Sequence, residues 1–174
     1  MQTDQLIYQL TFDDIRKCKI YTTKDMQWVS ESNAQIKYNQ SLDLATRFED
    51  TLQGYLGEEA LAKYFNYKTV YRPYDKNAHD VLGYEVRTVR YEYAIMPTHD
   101  EDKPAMYVCV SLNKQTNVAT IKGWSELSRC NARSQNWRNT WRYPCFGMPE
   151  EELLPMSTMP ATPELIAHRQ GLQS

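Results

Sequence analysis

Residues 79–91 lie in the strand-rich half of the chain, and in them a turn signal precedes a run of β-branched and aromatic residues. Its first nine residues read His79-Asp80-Val81-Leu82-Gly83-Tyr84-Glu85-Val86-Arg87. Leu82-Gly83 predicts a tight bend, and the residues after it predict a strand. Side chains alternate along a strand, so Glu85 and Arg87 are expected on one face. The bend is expected to bring Asp80 back towards Glu85.

The segments on either side of this turn differ in type. Before it, the sequence predicts helices over residues 11–36 and 42–65, the first with Thr11 as its N-cap. Strands are predicted at 68–72, 84–94, 106–112, 118–124 and 141–146, with a helix over 125–136. Helices followed by a run of strands predict an α+β (mixed α/β) fold.

Length and composition predict one globular domain. The chain has 174 residues, of which 41% are hydrophobic and 24% are charged. We assign residues 1–148 to the domain, with a helical part over 11–65 and a sheet part over 68–146. The tail (residues 149–174) is rich in proline and glutamate.

The same features bear on compartment and partners. No secretory leader or membrane-spanning run is visible, and the four cysteines form no C-x-x-C pair, so we expect a reduced, cytoplasmic protein without a membrane partner. The net charge of −2 excludes a protein covered uniformly in positive charge. Any contact with nucleic acid must then come from a local patch.

Two adjacent glutamates on the second predicted helix differ in their expected surroundings. Gly54 and Gly57 each cost about 1 kcal/mol in a helix interior, which predicts a close approach to the backbone there. Helical geometry places Glu58 at the edge of the apolar arc and Glu59 beside Lys63, as a solvated ion pair. Glu58 is therefore the candidate for a site. The alternative, two surface glutamates on an ordinary helix, stays open.

These acidic residues suggest a divalent metal site. Mg²⁺ takes oxygen ligands, keeps several waters and needs only one or two carboxylates from the protein. Asp80, Glu85 and Glu58 would supply such oxygens, with Arg87 as a neighbouring cation that stabilises charge on a phosphate. A plain cross-strand ion pair and an aspartate turn remain the alternative.

A known family shares this pattern. The pattern consists of a glycine-containing helix segment, an aspartate and a strand motif, namely Gly54-x-x-Gly57-Glu58-x-Ala60, Asp80 and Glu85-Val86-Arg87. Across residues 42–146 the chain resembles the PD-(D/E)XK nuclease superfamily, especially its small phage-encoded members. The resemblance implies a restriction-endonuclease-like αβββαβ core, with a central mixed or mostly antiparallel sheet flanked by helices. It also implies DNA cleavage in the host cytoplasm with Mg²⁺ or Mn²⁺.

The resemblance also implies roles for the site residues. Asp80 and Glu85 would be metal carboxylates, and Glu58 a helix carboxylate that supports the metal or its water. Arg87 stands where family members usually have lysine. Arginine does not lose its proton in proteins, so Arg87 would hold a phosphate oxygen or orient a hydroxide rather than act as a base. A DNA-binding or phage interaction protein that keeps the fold without cleavage is the alternative function.

Local charge supports a DNA partner. Between residues 122 and 142 the basic residues exceed the acidic ones by four, and tryptophans are interleaved with them. We expect Arg129, Arg133, Arg138 and Arg142 to contact DNA phosphates. The alternative is a solvated helix face with core tryptophans. The acidic Glu150-Glu151-Glu152 run could instead cover the basic surface or mediate self-association as a homodimer.

Overall fold

The computed structural model describes residues 6–32, 43–73, 75, 78–92, 95–132, 137–138 and 144–172. Their helices and strands follow in chain order as β1 (Leu6–Gln9), α1 (Phe12–Ser32), α2 (Leu44–Tyr64), β2 (Glu85–Arg90), β3 (Ile95–Thr98), β4 (Met106–Asn113), β5 (Val118–Glu126), α3 (Leu127–Asn131), β6 (Trp137–Arg138), β7 (Cys145–Pro149) and α4 (Pro163–Leu172). Two short 3₁₀ turns, Glu150–Glu152 and Met156–Thr158, lie between β7 and α4. The α+β class predicted from the sequence is confirmed.

The strands form two sheets. The first has the order β1-β5-β4-β2, in which β2 runs parallel to β4 while the other neighbours are antiparallel. The second is antiparallel, with the order β3-β7-β6. Strands β4 and β5 form an antiparallel hairpin. The first sheet is therefore mixed, because the chain makes an excursion through β3 before it returns as β4.

The two helices at the start of the chain pack against each other and onto the first sheet. Thr11 and Asp14 form the N-terminal cap of α1, since Thr11 N–H donates to Asp14 Oδ2 at 2.7 Å and Asp14 N–H donates to Thr11 Oγ1 at 3.2 Å. Asp43 caps α2 by accepting from Thr46 N–H at 2.9 Å. Both helices thus begin at residues that satisfy their free N–H groups.

The expected ion pair between Glu59 and Lys63 is wrong. Glu59 is buried, and its Oε2 lies 2.7 Å from Lys17 Nζ on α1 and accepts from Thr69 Oγ1 at 2.7 Å. Lys63 instead lies 3.0 Å from Asp14. Tertiary packing of α1 against α2 has replaced the i,i+4 pairing, because α1 covers the face that helical periodicity alone assigns to solvent.

The close approach predicted at the helix glycines occurs at one of them. A Cβ atom on Gly57 would lie 1.8 Å from Thr88 Oγ1 of β2, whereas a Cβ on Gly54 would meet nothing within 4 Å. Gln53 adds a hydrogen bond from Nε2 to Thr88 O at 2.9 Å. Gly57 therefore lets α2 lie directly on β2, the strand that begins with Glu85.

The two faces of the first sheet pack against different layers. Along β4, Val108, Val110 and Leu112 join the core under the helices, together with Leu56 and Leu61 of α2. Tyr107 and Cys109 point to the opposite face, where they pack with residues of β3, α3 and β7. The continuous apolar run of β4 reflects burial on both faces.

The tail folds back onto this domain. Leu154 bridges Trp124 in antiparallel fashion, and Trp124 Nε1 donates to Pro155 O at 3.1 Å. Leu165 of α4 is buried in the core that α1 and α2 cover. The residues after Pro149 thus contribute to the hydrophobic core.

Several element boundaries differ from the sequence expectations. The strand predicted at 68–72 is wrong, because these residues have no regular structure. Of the strand expected at 141–146, residues 141–143 lie outside the described residues and β7 is observed over Cys145–Pro149. The helix expected over 125–136 is observed as Leu127–Asn131, with 133–136 outside the described residues. Strands β1 and β3 had no counterpart in the sequence analysis. No helix in the described ranges has the length and apolarity to cross a bilayer.

Candidate functional site

The turn between Asp80 and Glu85 has the tight form that Leu82-Gly83 predicted. Val81 and Tyr84 form an antiparallel bridge, and Leu82 and Gly83 both have positive φ, at 47° and 84°. Two consecutive positive φ values suit a two-residue hairpin turn. Asp80 N–H also donates to Tyr84 O at 3.1 Å. The turn thereby returns Asp80 to the beginning of β2.

Asp80 is fixed in place by the backbone of β2. Its Oδ2 accepts a hydrogen bond from Val86 N–H at 2.8 Å. The residue reaches the surface, yet desolvation by the surrounding protein is the largest cause of its raised pKa, followed by the charge of Glu85. Asp80 and Glu85 are therefore neighbours that repel each other when both are ionised.

Glu58 joins these two carboxylates from α2. Desolvation is the first cause that raises its pKa well above the ordinary value, and the charges of Asp80, Asp25 and Glu85 add to the effect. A carboxyl group that is desolvated and surrounded by other carboxylates resists ionisation. Glu58 therefore lies within electrostatic range of Asp80 and Glu85. These three residues, which the sequence analysis selected, are called the acidic cluster below.

Glu85 itself is buried and has two cationic or polar partners on one oxygen. Lys103 Nζ lies 2.8 Å from Glu85 Oε1, and His79 Nδ1 lies 2.9 Å from the same atom. Lys103 Nζ also donates to the carbonyl oxygen of Ala78. An ammonium group therefore stands inside the acidic cluster, supplied by the turn between β3 and β4.

Arg87 lies on the same face of β2 but has a different partner. Its Nη2 is 2.8 Å from Asp102 Oδ2, and its guanidinium carbon lies 4.8 Å from the centre of the Tyr107 ring. Burial by itself would raise the pKa of Asp102, but His99 and Arg87 outweigh burial and lower that pKa to about 2. Arg87 thus adjoins Asp80 while its guanidinium is engaged by Asp102.

Sequence reasoning missed Lys103 and Asp102, because the segment 99–104 resembles an ordinary polar loop. Its local signal is the polar turn from His99 to Asp102, in which Asp102 Oδ2 accepts from His99 N–H at 2.9 Å and Asp102 N–H donates to His99 O at 3.1 Å. That signal predicts a turn but not its direction. The approach of Lys103 to Glu85 depends on tertiary packing.

A cluster of three tyrosines adjoins Glu58 on the side that faces α1. Tyr55 and Tyr71 both donate to the carboxylate of Asp25, at 2.5 Å and 3.0 Å. The Tyr21 ring packs 5.6 Å from each of the two tyrosine rings, centre to centre. Desolvation and the Asp25 carboxylate raise the pKa of Tyr71 to about 12. These tyrosines hold Asp25 in place near the acidic cluster.

Two of the four predicted DNA-binding arginines lie within the described residues. Arg129 on α3 and Arg138 on β6 are both half-buried, while Arg133 and Arg142 lie outside the described residues. Lys122, which belongs to the same basic stretch, forms an ion pair with Glu150 at 3.0 Å. The first glutamate of the acidic run therefore covers one of the basic residues.

The donor chemistry of the acidic cluster fits a divalent cation. Carboxylate oxygens are the donors that Mg²⁺ and Mn²⁺ prefer, and one or two of them suffice when waters complete the coordination. Burial is the largest cause of the raised pKa values of Glu58 and Asp80, and repulsion from neighbouring carboxylates, which a cation would relieve, adds to it. Within the described ranges, no three His, Cys, Asp or Glu side chains are already arranged as a metal-binding group.

Comparison with known proteins adds no relative. No protein-family model, curated protein or solved structure matches this chain.

Proposed function

We propose that this chain is a metal-dependent nuclease that hydrolyses DNA phosphodiester bonds with Mg²⁺ or Mn²⁺. The observation that carries the proposal is that burial and nearby carboxylate charge raise the pKa of Glu58 and of Asp80, with Glu85 contributing to both shifts, while Val86 N–H holds Asp80 at the start of β2. Repulsion between carboxylates that are near one another lowers the stability of the folded chain. Such costs are concentrated at functional sites.

The proposal includes a restriction-endonuclease-like core. That core would comprise α2, the strands β2, β4 and β5, and α3. Support comes from the packing of α2 across these three strands and from the position of Glu85 at the start of β2. Because a Cβ on Gly57 would lie 1.8 Å from Thr88 Oγ1, α2 lies directly on β2, the strand that begins with Glu85.

The reaction would be hydrolysis of one phosphate ester bond. The oxygen of a water forms a bond to phosphorus, and the bond from phosphorus to one sugar oxygen breaks with its electron pair. The attacking water loses a proton, and the departing oxygen gains one. A bound divalent cation supplies Lewis acidity and lowers the pKa of a bound water.

Residues of the chain would prepare this chemistry. Asp80 and Glu85 would hold the cation, and the Val86 N–H group fixes the orientation of Asp80. Glu58 would support the cation or its water from α2. Burial is the first cause of its raised pKa, and the charges of Asp80 and Glu85 add to it. Arg129 and Arg138 are the described candidates for DNA phosphate contacts.

The test is cleavage of linear, circular and single-stranded DNA in Mg²⁺ or Mn²⁺ by the wild-type chain and by Asp80→Ala and Glu85→Ala. Each substitution should reduce the cleavage rate by at least about 100-fold, since it removes a metal ligand. Glu49→Gln is the matched control, because Glu49 lies on α2 but is exposed and pairs with Lys114 on the surface. It should cleave like the wild type.

The results separate the proposal from its alternative. Cleavage that survives both alanine substitutions would overturn the site assignment. DNA binding that weakens steeply with salt but never leads to cleavage would favour the non-catalytic DNA-binding protein.

A further inference from the structure

We propose that Lys103 is an internal counter-ion of the metal site, which a divalent cation displaces from Glu85 and which then holds the phosphate of the substrate. The inference rests on the proposed function and extends it to a residue outside the helix and strand motifs. Its starting observation is that Lys103 Nζ lies 2.8 Å from Glu85 Oε1.

Lys103 occupies space that a cation at Glu85 would need. Glu85 is buried, with 8% of its side chain exposed, so its carboxylate has few directions from which a cation can approach. An ammonium group on Oε1 neutralises this carboxylate and repels a second cation. Metal binding at Glu85 therefore competes with Lys103.

The backbone of Lys103 is held in place, while its side chain is partly exposed. Tyr107 donates to Lys103 O at 2.9 Å, and the preceding residue, Asp102, is held to Arg87 at 2.8 Å. Of the Lys103 side chain, 29% is exposed. A lysine has a flexible four-carbon stem, so the ammonium can leave Glu85 and remain near the site.

Arg87 is a positioning residue in this arrangement. Its guanidinium is engaged by Asp102 and lies over the Tyr107 ring, so it ties the turn that carries Lys103 to β2. Lysine and arginine thereby divide two tasks: Arg87 holds the turn, and Lys103 supplies the cation that is able to move. A displaced Lys103 would stand beside the metal, where a phosphate oxygen is expected.

The test separates metal binding from cleavage by measuring both in Lys103→Met. Removing the competing ammonium should tighten Mn²⁺ binding, measured by calorimetry without DNA, by at least about tenfold. The same variant should cleave DNA at least about tenfold more slowly, because it lacks the phosphate contact. A residue with a merely structural role would weaken both properties or leave both unchanged.

Two further variants control for charge and for packing. Lys114→Met removes the same charge from an exposed residue that pairs with Glu49, and it should leave both properties as in the wild type. Lys103→Arg keeps the competing charge and should not tighten Mn²⁺ binding. If Lys103→Met unfolds under the assay conditions, Lys103→Gln removes the charge while keeping a donor for Ala78 O.

The outcomes distinguish the two proposals. Unchanged or weaker Mn²⁺ binding in Lys103→Met overturns the counter-ion role, even if Asp80→Ala abolishes cleavage and so upholds the nuclease. Tighter Mn²⁺ binding in Lys103→Met that Asp80→Ala removes supports the counter-ion role, even if the wild type proves unable to cleave DNA. Absence of any Mn²⁺ binding overturns both.

Discussion

Arg87 and Asp102 form an ion pair between β2 and the turn before β4, with Nη2 of Arg87 2.8 Å from Oδ2 of Asp102. Arg87 follows Glu85 by two positions, and Asp102 directly precedes Lys103. The ion pair therefore joins the strand that carries a site carboxylate to the turn that supplies the site ammonium. Because both side chains are largely withdrawn from water, at 25% and 12% exposed, the pair is screened less than a surface pair.

This ion pair makes part of the folding stability depend on acid pH. The pKa of Asp102 is lowered to about 2 in the folded chain, so its contribution is fully present above the unfolded pKa and is lost as pH falls through about 2. The full contribution amounts to about 2 kcal/mol. Asp102→Asn should remove it.

Urea unfolding of both proteins between about pH 6 and pH 2 measures this contribution. We expect the wild type to be more stable at the upper end and the difference to shrink towards the acid end. Two curves that remain parallel over the whole range would show that Asp102 titrates alike in the folded and unfolded chains.

The two glycines of α2 should respond to alanine in opposite ways. Gly57→Ala places a Cβ 1.8 Å from Thr88 Oγ1, which forces α2 away from β2 and should cost about 1–3 kcal/mol of unfolding free energy. Gly54→Ala meets nothing within 4 Å and should gain about 0.5–1 kcal/mol from helix propensity. Thermal unfolding of the pair checks both signs, and stabilisation by Gly57→Ala would contradict the close packing.

Periodicity predicted the long elements, and it failed where tertiary contacts decide the structure. Pro97 lies inside β3, and proline removes a ladder donor, so the local sequence disfavours a strand there. Residues 68–72 have strand-like composition, but Thr69 and Tyr71 are bound by side chains of α2 and α1. Their backbone consequently joins neither sheet.

The parts of the candidate site that depend on residues close together in the sequence were predictable. Leu82-Gly83 specified the turn, and alternation along β2 placed Glu85 and Arg87 on one face. The cation at Glu85 was not predictable, because Lys103 is 18 positions away and reaches the site only through the excursion of β3. Likewise, Glu59 is buried by its contact with α1, and the sequence pattern of α2 alone does not predict that contact.

The tail should stabilise the turn that carries Asp80 and Glu85. Thr162 Oγ1 donates to Leu82 O at 2.5 Å and accepts from Leu165 N–H at 3.0 Å, while Tyr84 donates from its hydroxyl to Pro160 O at 2.7 Å. Thr162→Val loses both hydroxyl contacts, so we expect a loss of about 1–2 kcal/mol in unfolding free energy. Cleavage should fall as well, since the turn positions Asp80.

Thr23→Val is the control for this experiment. Thr23 is exposed on α1 and donates only to Lys19 O within its own helix, so the change should alter stability by less than about 0.5 kcal/mol. Equal effects of the two valine substitutions would show that the tail does not support the turn.

The adjacent glutamates of α2 should give opposite effects when each is changed to glutamine. Folding at neutral pH either protonates Glu58 or holds its charge beside Asp80 and Glu85, and both cost free energy. Glu58→Gln removes this cost and should raise the unfolding free energy by roughly 1 kcal/mol in metal-free buffer. Cleavage in Mg²⁺ should fall at the same time, since stability and function are opposed at such a site.

Glu59→Gln should instead lower the unfolding free energy by about 1–3 kcal/mol, because it weakens a buried contact with Lys17 and Thr69. Its cleavage rate, measured well below the unfolding temperature, should stay close to that of the wild type. The two variants differ by one position and carry the same chemical change. Destabilisation by Glu58→Gln would show that its carboxylate is a structural partner of α2 rather than a strained member of the acidic cluster.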